Sequence, residues 1–380
     1  MPSAGSAGAP GATAGARHDP ALRPWPVEPG TTLRRVKIYS SRDYLPTDSV
    51  HATILFPFWG RARGGEQWPG FADDFIARGG EFLELTGLAD CDLAVFPENW
   101  KQAERTDGVG RLHAFAAEAR AAGKPVAVFF EGDSAEPFPV PDVTVFRTSL
   151  SRSRRTAREF ALPGFHDDLL DHVGGRLPVR EKTRRPVVGF CGVALREERP
   201  RRAAVRRALA RDAGPHPQDV FVRARALEAL VRQRAVDVSI VLRGEGGGGA
   251  MYPTVDEARW PQVRREYVEN LVASDYALCA RGVGNWSWRL YEALSLGRIP
   301  VFVDTDCVLP YDFLVDWRAH CVWVDRADVE RIGELVAGFH ERLSPSGFAE
   351  LQHRCRRLWE EYLRPAGFFA SLHRHFPARA

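Results

Sequence analysis

The sequence predicts an α/β protein of two doubly wound, Rossmann-like parallel-sheet domains that face one another across a cleft. Three observations predict it. Short apolar β-type runs alternate with helically spaced segments, and the alternating series occurs twice. A polar, arginine-rich stretch from Ser151 to Arg185 separates the two series. Polar residues recur just after the β-type runs, at the carboxyl edge where such sheets bind ligands.

The 380 residues suffice for two domains. Residues 1–30 are rich in Ala, Gly, Ser and Pro and lack the basic start and apolar centre of a signal peptide, so a disordered leader is expected there. The N-terminal Rossmann-like domain is expected over 31–180. Its strands are read at RRVKIYS (34–40), HATILFPFW (51–59), DLAVFPENW (92–100), PVAVFFEGDS (125–134) and DVTVFRTSL (142–150). Leu112, Phe115, Ala116 and Ala119 share one helix face between Gly110 and Ala122, and Gly123 is a plausible stop.

PVREKTRRP (178–186) is expected to connect the domains. The C-terminal domain follows over 186–345. It opens with the strand and turn VVGFCG (187–192), then two basic amphipathic helices, Pro200 to Asp212 and Val220 to Gln233. DVSIVLRG (237–244) is a strand and EGGGG (245–249) a mobile loop. A helix from Pro261 to Ala273, a strand at DYALCARG (275–282), a capped helix at NWSWRLYEALSLG (285–297) and strands at RIPVFVD and HCVWVD come next, before a helix from Val329 to Arg342. Residues 346–380 carry helices near Phe348 to Tyr362 and Phe368 to Phe376, placed to pack across both domains.

Composition bounds the function. Hydrophobic residues at 44% and charged residues at 27% are ordinary for a soluble globular protein, and a net charge of +3 is too small to argue for nucleic acid. Only Lys37, Lys101, Lys124 and Lys182 among the 52 basic residues are lysines, so one arginine says little by itself. Six scattered cysteines show no zinc spacing and read as buried free thiols of a reducing compartment. No apolar run approaches the ~18–20 residues of a membrane span. A cytoplasmic protein is expected, with peripheral membrane contact left open.

The densest motif is CARGVGNWSWRLYEALSLGRIPVF (279–302). Gly282 and Gly284 let a turn tighten after a strand, and Asn285 or Ser287 can cap the helix that follows. The exposed N–H groups of its first turn are a seat for phosphate. Arg281 and Arg289 flank that seat and could neutralise a diphosphate. Glu292, three residues after Arg289, could hold that arginine, accept hydrogen bonds from ribose, or simply form a surface ion pair. No GK[ST] follows, so this is not a P-loop.

The string RGVGNWSWRLYEALSLGRIPVFVDTDCVLPYDFLVDW resembles the signature of exostosin-family (GT47-like) glycosyltransferases. That family carries an Arg-Gly turn, a Ser, an Arg-Leu/Phe-x-Glu-Ala-Leu helix, Gly-x-Ile-Pro-Val, Leu-Pro-Phe and often Asp-Trp. Arg281, Gly282, Ser287, Arg289, Leu290, Glu292, Gly297, Pro300, Leu309, Pro310, Asp316 and Trp317 match it, and Tyr311 replaces the usual Phe. The resemblance is specific over residues 281–317. It implies a GT-B fold whose C-terminal domain binds a nucleotide-sugar and whose N-terminal domain binds the acceptor. It also implies inverting transfer without a metal, most often from a UDP-sugar, to a glycan or surface-polymer acceptor. By that analogy Arg281, Arg289 and Gly192 meet the diphosphate.

Inverting transfer needs a base for the acceptor hydroxyl and positive charge for the leaving diphosphate. Glu131 and Asp133, straight after an apolar strand, are the first candidates for the base. Glu98 is a further one and His166 a weaker one. Arg243, at another strand end, joins the donor-side candidates. Asp304 and Asp306 have the Asp-x-Asp pattern of metal-dependent transferases but stand late in the chain. Trp59, Trp68 and Trp100 could stack on sugars. The arginine runs 152–158 and 196–211 could attract anionic glycan or lipid headgroups, or be solvated helix faces. The alternative from another class is a non-catalytic nucleotide-sugar or glycan-binding module on the same fold.

Overall fold

The computed structural model describes residues 35–62, 70–194, 219, 221–243 and 259–376. The predicted leader, the helix from Pro200 to Asp212, the 196–211 arginine run, the EGGGG loop and Trp68 lie outside them.

The first sheet comprises β1 (Val36–Tyr39), β2 (Leu83–Leu85), β3 (Leu93–Val95), β4 (Val126–Phe130), β5 (Thr144–Arg147) and β6 (Glu159–Ala161), all parallel, in the order β2-β1-β3-β4-β5-β6. The second comprises β7 (Val187–Gly192), β8 (Asp237–Leu242), β9 (Tyr276–Cys279), β10 (Ile299–Asp304) and β11 (Val322–Asp325), also parallel, in the order β11-β10-β9-β7-β8. Each sheet starts in its middle, runs outward on one side and then reverses. The reversal puts a topological switch point between β1 and β3 in one domain and between β7 and β9 in the other.

The helices of the first domain are α1 (Phe56–Trp59), α2 (Asp73–Arg78), α3 (Trp100–Ala103) and α4 (Gly108–Ala121). Those of the second are α5 (Val222–Arg232), α6 (Trp260–Val272), α7 (Trp288–Ser295), α8 (Ile332–Arg342) and α9 (Pro345–Leu358), followed by α10 (Pro365–Ala370). Alternation along β4 shows why both faces of the first sheet need cover. Val126, Val128 and Phe130 pack with α4 in one cluster, while Ala127 and Phe129 face α1, α2 and α10 in another.

HATILFPFW is a 3₁₀ turn leading into α1, not the expected strand. Pro57 explains the difference: it fits the first helical turn but would remove a ladder donor from a strand. The short strands β2 and β6, of three residues each, escape pattern reading.

The chain's last segment divides between the domains. Phe348, Leu351, Cys355 and Leu358 of α9 join the core of the second sheet. Phe368 and Phe369 of α10 and the following Leu372 join that of the first. All six cysteines are buried free thiols. Among the described residues no helix is long and apolar enough to cross a membrane.

Candidate active site

The β7/β9 switch point gathers the donor-side candidates. β7 ends at Gly192, whose φ of +154° favours glycine, and its carbonyl accepts the Arg243 N–H. After β9 the chain turns through 280–287 into α7, with the Gly282 N–H bonded to the Trp286 carbonyl (3.1 Å). α7 ends in a Schellman turn: Gly297 (φ +65°) bonds Leu294 and Arg298 bonds Ala293. Because α7 links the parallel strands β9 and β10, its N-terminus stands at their carboxyl ends.

Arg289 lies in the first turn of α7 and is almost wholly buried. Its guanidinium stacks over Phe190 (4.2 Å) and donates to the Cys191 carbonyl (2.6 Å), so it is fixed to the carboxyl end of β7. Arg281 is also buried, its guanidinium bonded to the Val283 carbonyl. Burial pulls the Arg281 pKa down, opposed by the charge of Asp219. Arg223 of α5, which pattern reading passed over, ties Val193 after β7 to Ala280 after β9 (2.8 and 2.9 Å). Only its position as the second residue of an amphipathic helix could have marked it.

Among the described residues, Ser287 Oγ and Arg289 Nε are buried and have no hydrogen-bond partner. Ser287 is the N-cap residue of α7 but its side chain makes no capping bond. Buried polar groups are nearly always bonded, so the free hydroxyl of this cap residue stands out; Arg289 Nε shares its state with arginine Nε atoms elsewhere, Arg111 and Arg147 among them.

Glu292 does not pair with Arg289. Its carboxylate is buried, taken by Arg264 of α6 (2.6 Å) and by the Tyr267 hydroxyl. Arg264 also reaches Asp167 (2.6 Å), which accepts from His172 as well. Burial alone would raise Glu292; Arg264 and His166 outweigh it and hold it below the usual range. Asn285 is fully buried and fully used inside the protein. Its N–H and Nδ2 donate to Ser149 and Ser151, and its Oδ1 accepts from Thr305. Arg243 is spent on Glu266. The polar groups of Asn285, Glu292 and Arg243, expected to meet donor, thus all have protein partners.

On the first-domain side Glu131 follows β4, half-buried, and accepts from Thr53 (2.7 Å). Burial raises its pKa, with the Thr53 bond and the charge of Lys101 opposing. Asp133 is exposed and accepts from the indole N–H of Trp286 in the donor-side turn (2.6 Å). Glu98, the further candidate, is 1% exposed and is held by Arg111 and Ser49. His166 is buried against Trp359 rather than lying on a surface loop, and burial lowers it. Trp100 is core; Trp59 is half-buried beneath Arg42.

Asp304 accepts from Arg152 (2.7 Å) and the Cys307 N–H, and Asp306 from Ser153. Arg155 bonds Asp312. Arg152 and Arg155 therefore bridge the two domains, Arg155 largely covered and Arg152 still half exposed. A separate cavity of about 440 Å³ in the first domain, beside β5, ends on Ser149 and Ser151.

The sequence matches the Exostosin GT47 domain over residues 142–339, more than half its length. The chain belongs to the exostosin GT47 family. A probable glucuronosyltransferase of Oryza sativa subsp. japonica is 39% identical over 70 residues, 18% of this chain and 16% of that one. Exostosin-1 of Drosophila melanogaster is 32% identical over 108 residues, 28% and 14% of the two chains. A probable beta-1,4-xylosyltransferase of Arabidopsis thaliana is 40% identical over 70 residues, 18% and 17%. The chain thus matches under a fifth of the length of each of these curated relatives. Among solved structures, TarM aligns over 75% of this chain and 55% of its own at 11% identity and a TM-score of 0.36. A glycosyltransferase from Rickettsia africae aligns over 90% and 97%, at 8% and 0.39. The two sheets themselves, rather than these distant likenesses, establish the architecture of this exostosin GT47 chain.

Proposed function

We propose that this exostosin GT47 chain is an inverting glycosyltransferase that moves a sugar from a nucleotide-sugar, a UDP-sugar in the first instance, to a glycan or other hydroxyl acceptor. The carrying observation is the pair of buried, unpartnered donors, Ser287 Oγ and Arg289 Nε, at the β7/β9 switch point. With Arg281 and the N-terminus of α7 they supply the positive field that a departing diphosphate needs. Glu131 is the base: it follows the neighbouring domain's apolar strand, and its raised pKa suits proton abstraction. Phosphate charge is met by arginine, and Asp304 and Asp306 are engaged by Arg152 and Ser153. EDTA is expected to leave transfer intact.

The test is a thermal-shift panel of UDP, GDP and dTDP and their sugars on wild type, Ser287→Ala and Arg289→Ala. One nucleotide series should stabilise the wild type and lose most of its shift in both variants. Ser287→Ala removes one oxygen and keeps the fold, so it reads the site even if Arg289→Ala does not fold. Equal shifts in wild type and Ser287→Ala would remove this seat from the site, and no shift with any nucleotide would remove the donor class.

A further inference from the structure

The exit of β4 and the donor-side turn are joined across the domain boundary by one hydrogen bond, from Trp286 Nε1 to Asp133 Oδ1 (2.6 Å). Two glycines from different segments make room for it. A Cβ on Gly284 would stand 2.5 Å from that Asp133 oxygen and 2.7 Å from the indole. A Cβ on Gly164, in the segment after β6, would stand 2.5 Å from the far edge of the same ring. Real Cβ atoms do not come that close, so the indole has a built seat with one wall from each domain. The next residue of the turn inward, Asn285, is bonded to Ser149 and Ser151 of the first domain. The turn is therefore pinned from the opposite domain at two consecutive residues.

Between Glu131 and Asp133 there is little slack. Two residues span at most about 7 Å. A Cβ on the intervening Gly132 would meet the Phe130 ring at 2.4 Å, and the Gly132 carbonyl accepts from Thr148 (2.6 Å). The Asp133–Trp286 bond therefore anchors the chain within two residues of Glu131.

Building on the transferase reading above, we propose that Asp133 and Trp286 are a positioning clasp. Their hydrogen bond sets where the Glu131 carboxylate stands relative to the donor turn, and neither residue takes the acceptor proton. The geometry uses Asp133 as an acceptor of an N–H, a task its amide analogue also performs. A base needs an ionisable carboxylate, which the amide lacks.

Two arms test this on the full chain. In the first, ¹⁵N-tryptophan-labelled protein is followed by NMR, with the Trp286 indole assigned from Trp286→Phe. Its N–H should be protected from exchange in wild type and Asp133→Asn and lose protection in Asp133→Ala. In the second, transfer is measured with the nucleotide-sugar selected by the thermal-shift panel. Asp133→Ala and Trp286→Phe should lower kcat by about tenfold to a hundredfold, the scale of a small misplacement, with donor KM little changed. Asp133→Asn should recover most of that loss and keep the acidic limb of the pH profile. An Asp133→Asn as inactive as Asp133→Ala, with the limb gone, makes Asp133 the base and overturns the proposal. If no nucleotide-sugar supports transfer, the proposed function fails separately. The NMR arm then decides the clasp, and an indole N–H that exchanges as fast in wild type as in Asp133→Ala overturns it.

Discussion

Glu131 and Glu98 both follow strands of the first sheet, yet their carboxylates meet different surroundings. Glu98 is closed in by Arg111 and Ser49. Glu131 is desolvated, and burial raises its pKa against the opposing Thr53 hydroxyl bond and Lys101 charge. A raised acid gives up its proton at higher pH, so the acidic limb of kcat/KM is expected above the ordinary glutamate value of about 4.3. The Thr53 bond favours the charged form, so Thr53→Val should move that limb to still higher pH. A limb that stays in place or moves down would take the base role from Glu131. Glu131→Gln should lower kcat by roughly 10²–10⁴ and leave the nucleotide thermal shift unchanged. Both glutamates were visible in the sequence as acids after strands. What separates them is Arg111 on α4, a partner that strand-end position does not reveal.

At the scale of elements, α6, α7 and the segment before β7 meet through one buried arginine. Arg264 bonds Glu292 on α7 and Asp167 on the connecting segment. The strand and helix that carry the motif were legible, because Leu290, Ala293 and Leu294 follow a helical period and Gly297 ends it. The Arg289–Glu292 pairing was not, because spacing along one helix places two charges near each other without showing what the next helix offers. Arg264 and Tyr267, three apart on α6, took the carboxylate, and Phe190 and Cys191 took the guanidinium. Burial raises Asp167, but the His172 bond and the Arg264 charge outweigh it and hold it at about 2. A depressed carboxylate contributes stability that is present above its unfolded value near 3.9 and lost as pH falls toward 2. Arg264→Met would leave Asp167 and Glu292 buried without their shared cation, at a cost of about 3–5 kcal/mol near neutral pH. That cost should shrink in mildly acidic buffer, where the two carboxylates can take up protons. Urea unfolding of both proteins at the two pH values is the measurement. A cost that does not change with pH would assign the effect to packing alone.

At the scale of the molecule, two domains and a cleft were legible from the doubled alternation of strands and helices. The route of the last residues was less so, because an aromatic-rich helix fits either core equally well on hydrophobicity. The structure sends α10 back to the first sheet. Phe369 is fully buried there, stacked on Phe75 (4.7 Å) and packed edgewise on Phe129 (5.7 Å), although α9 just before it belongs to the other core. The chain therefore crosses between domains a second time, and the first domain is completed by residues more than 200 positions beyond its last strand. Phe369→Ala should cost about 3–5 kcal/mol, the usual range for emptying a buried phenylalanine site, and should lower the thermal transition accordingly. The proposed nucleotide seat lies on the second sheet, where Arg289 is fixed to β7, so affinity for the stabilising nucleotide should stay within about threefold, or ~0.7 kcal/mol. Denaturant unfolding and nucleotide titration of the same sample separate the two effects. A variant with near-native stability would show that α10 does not complete the first core in solution. A variant that folds but no longer binds nucleotide would show that the first domain contributes to the donor seat itself.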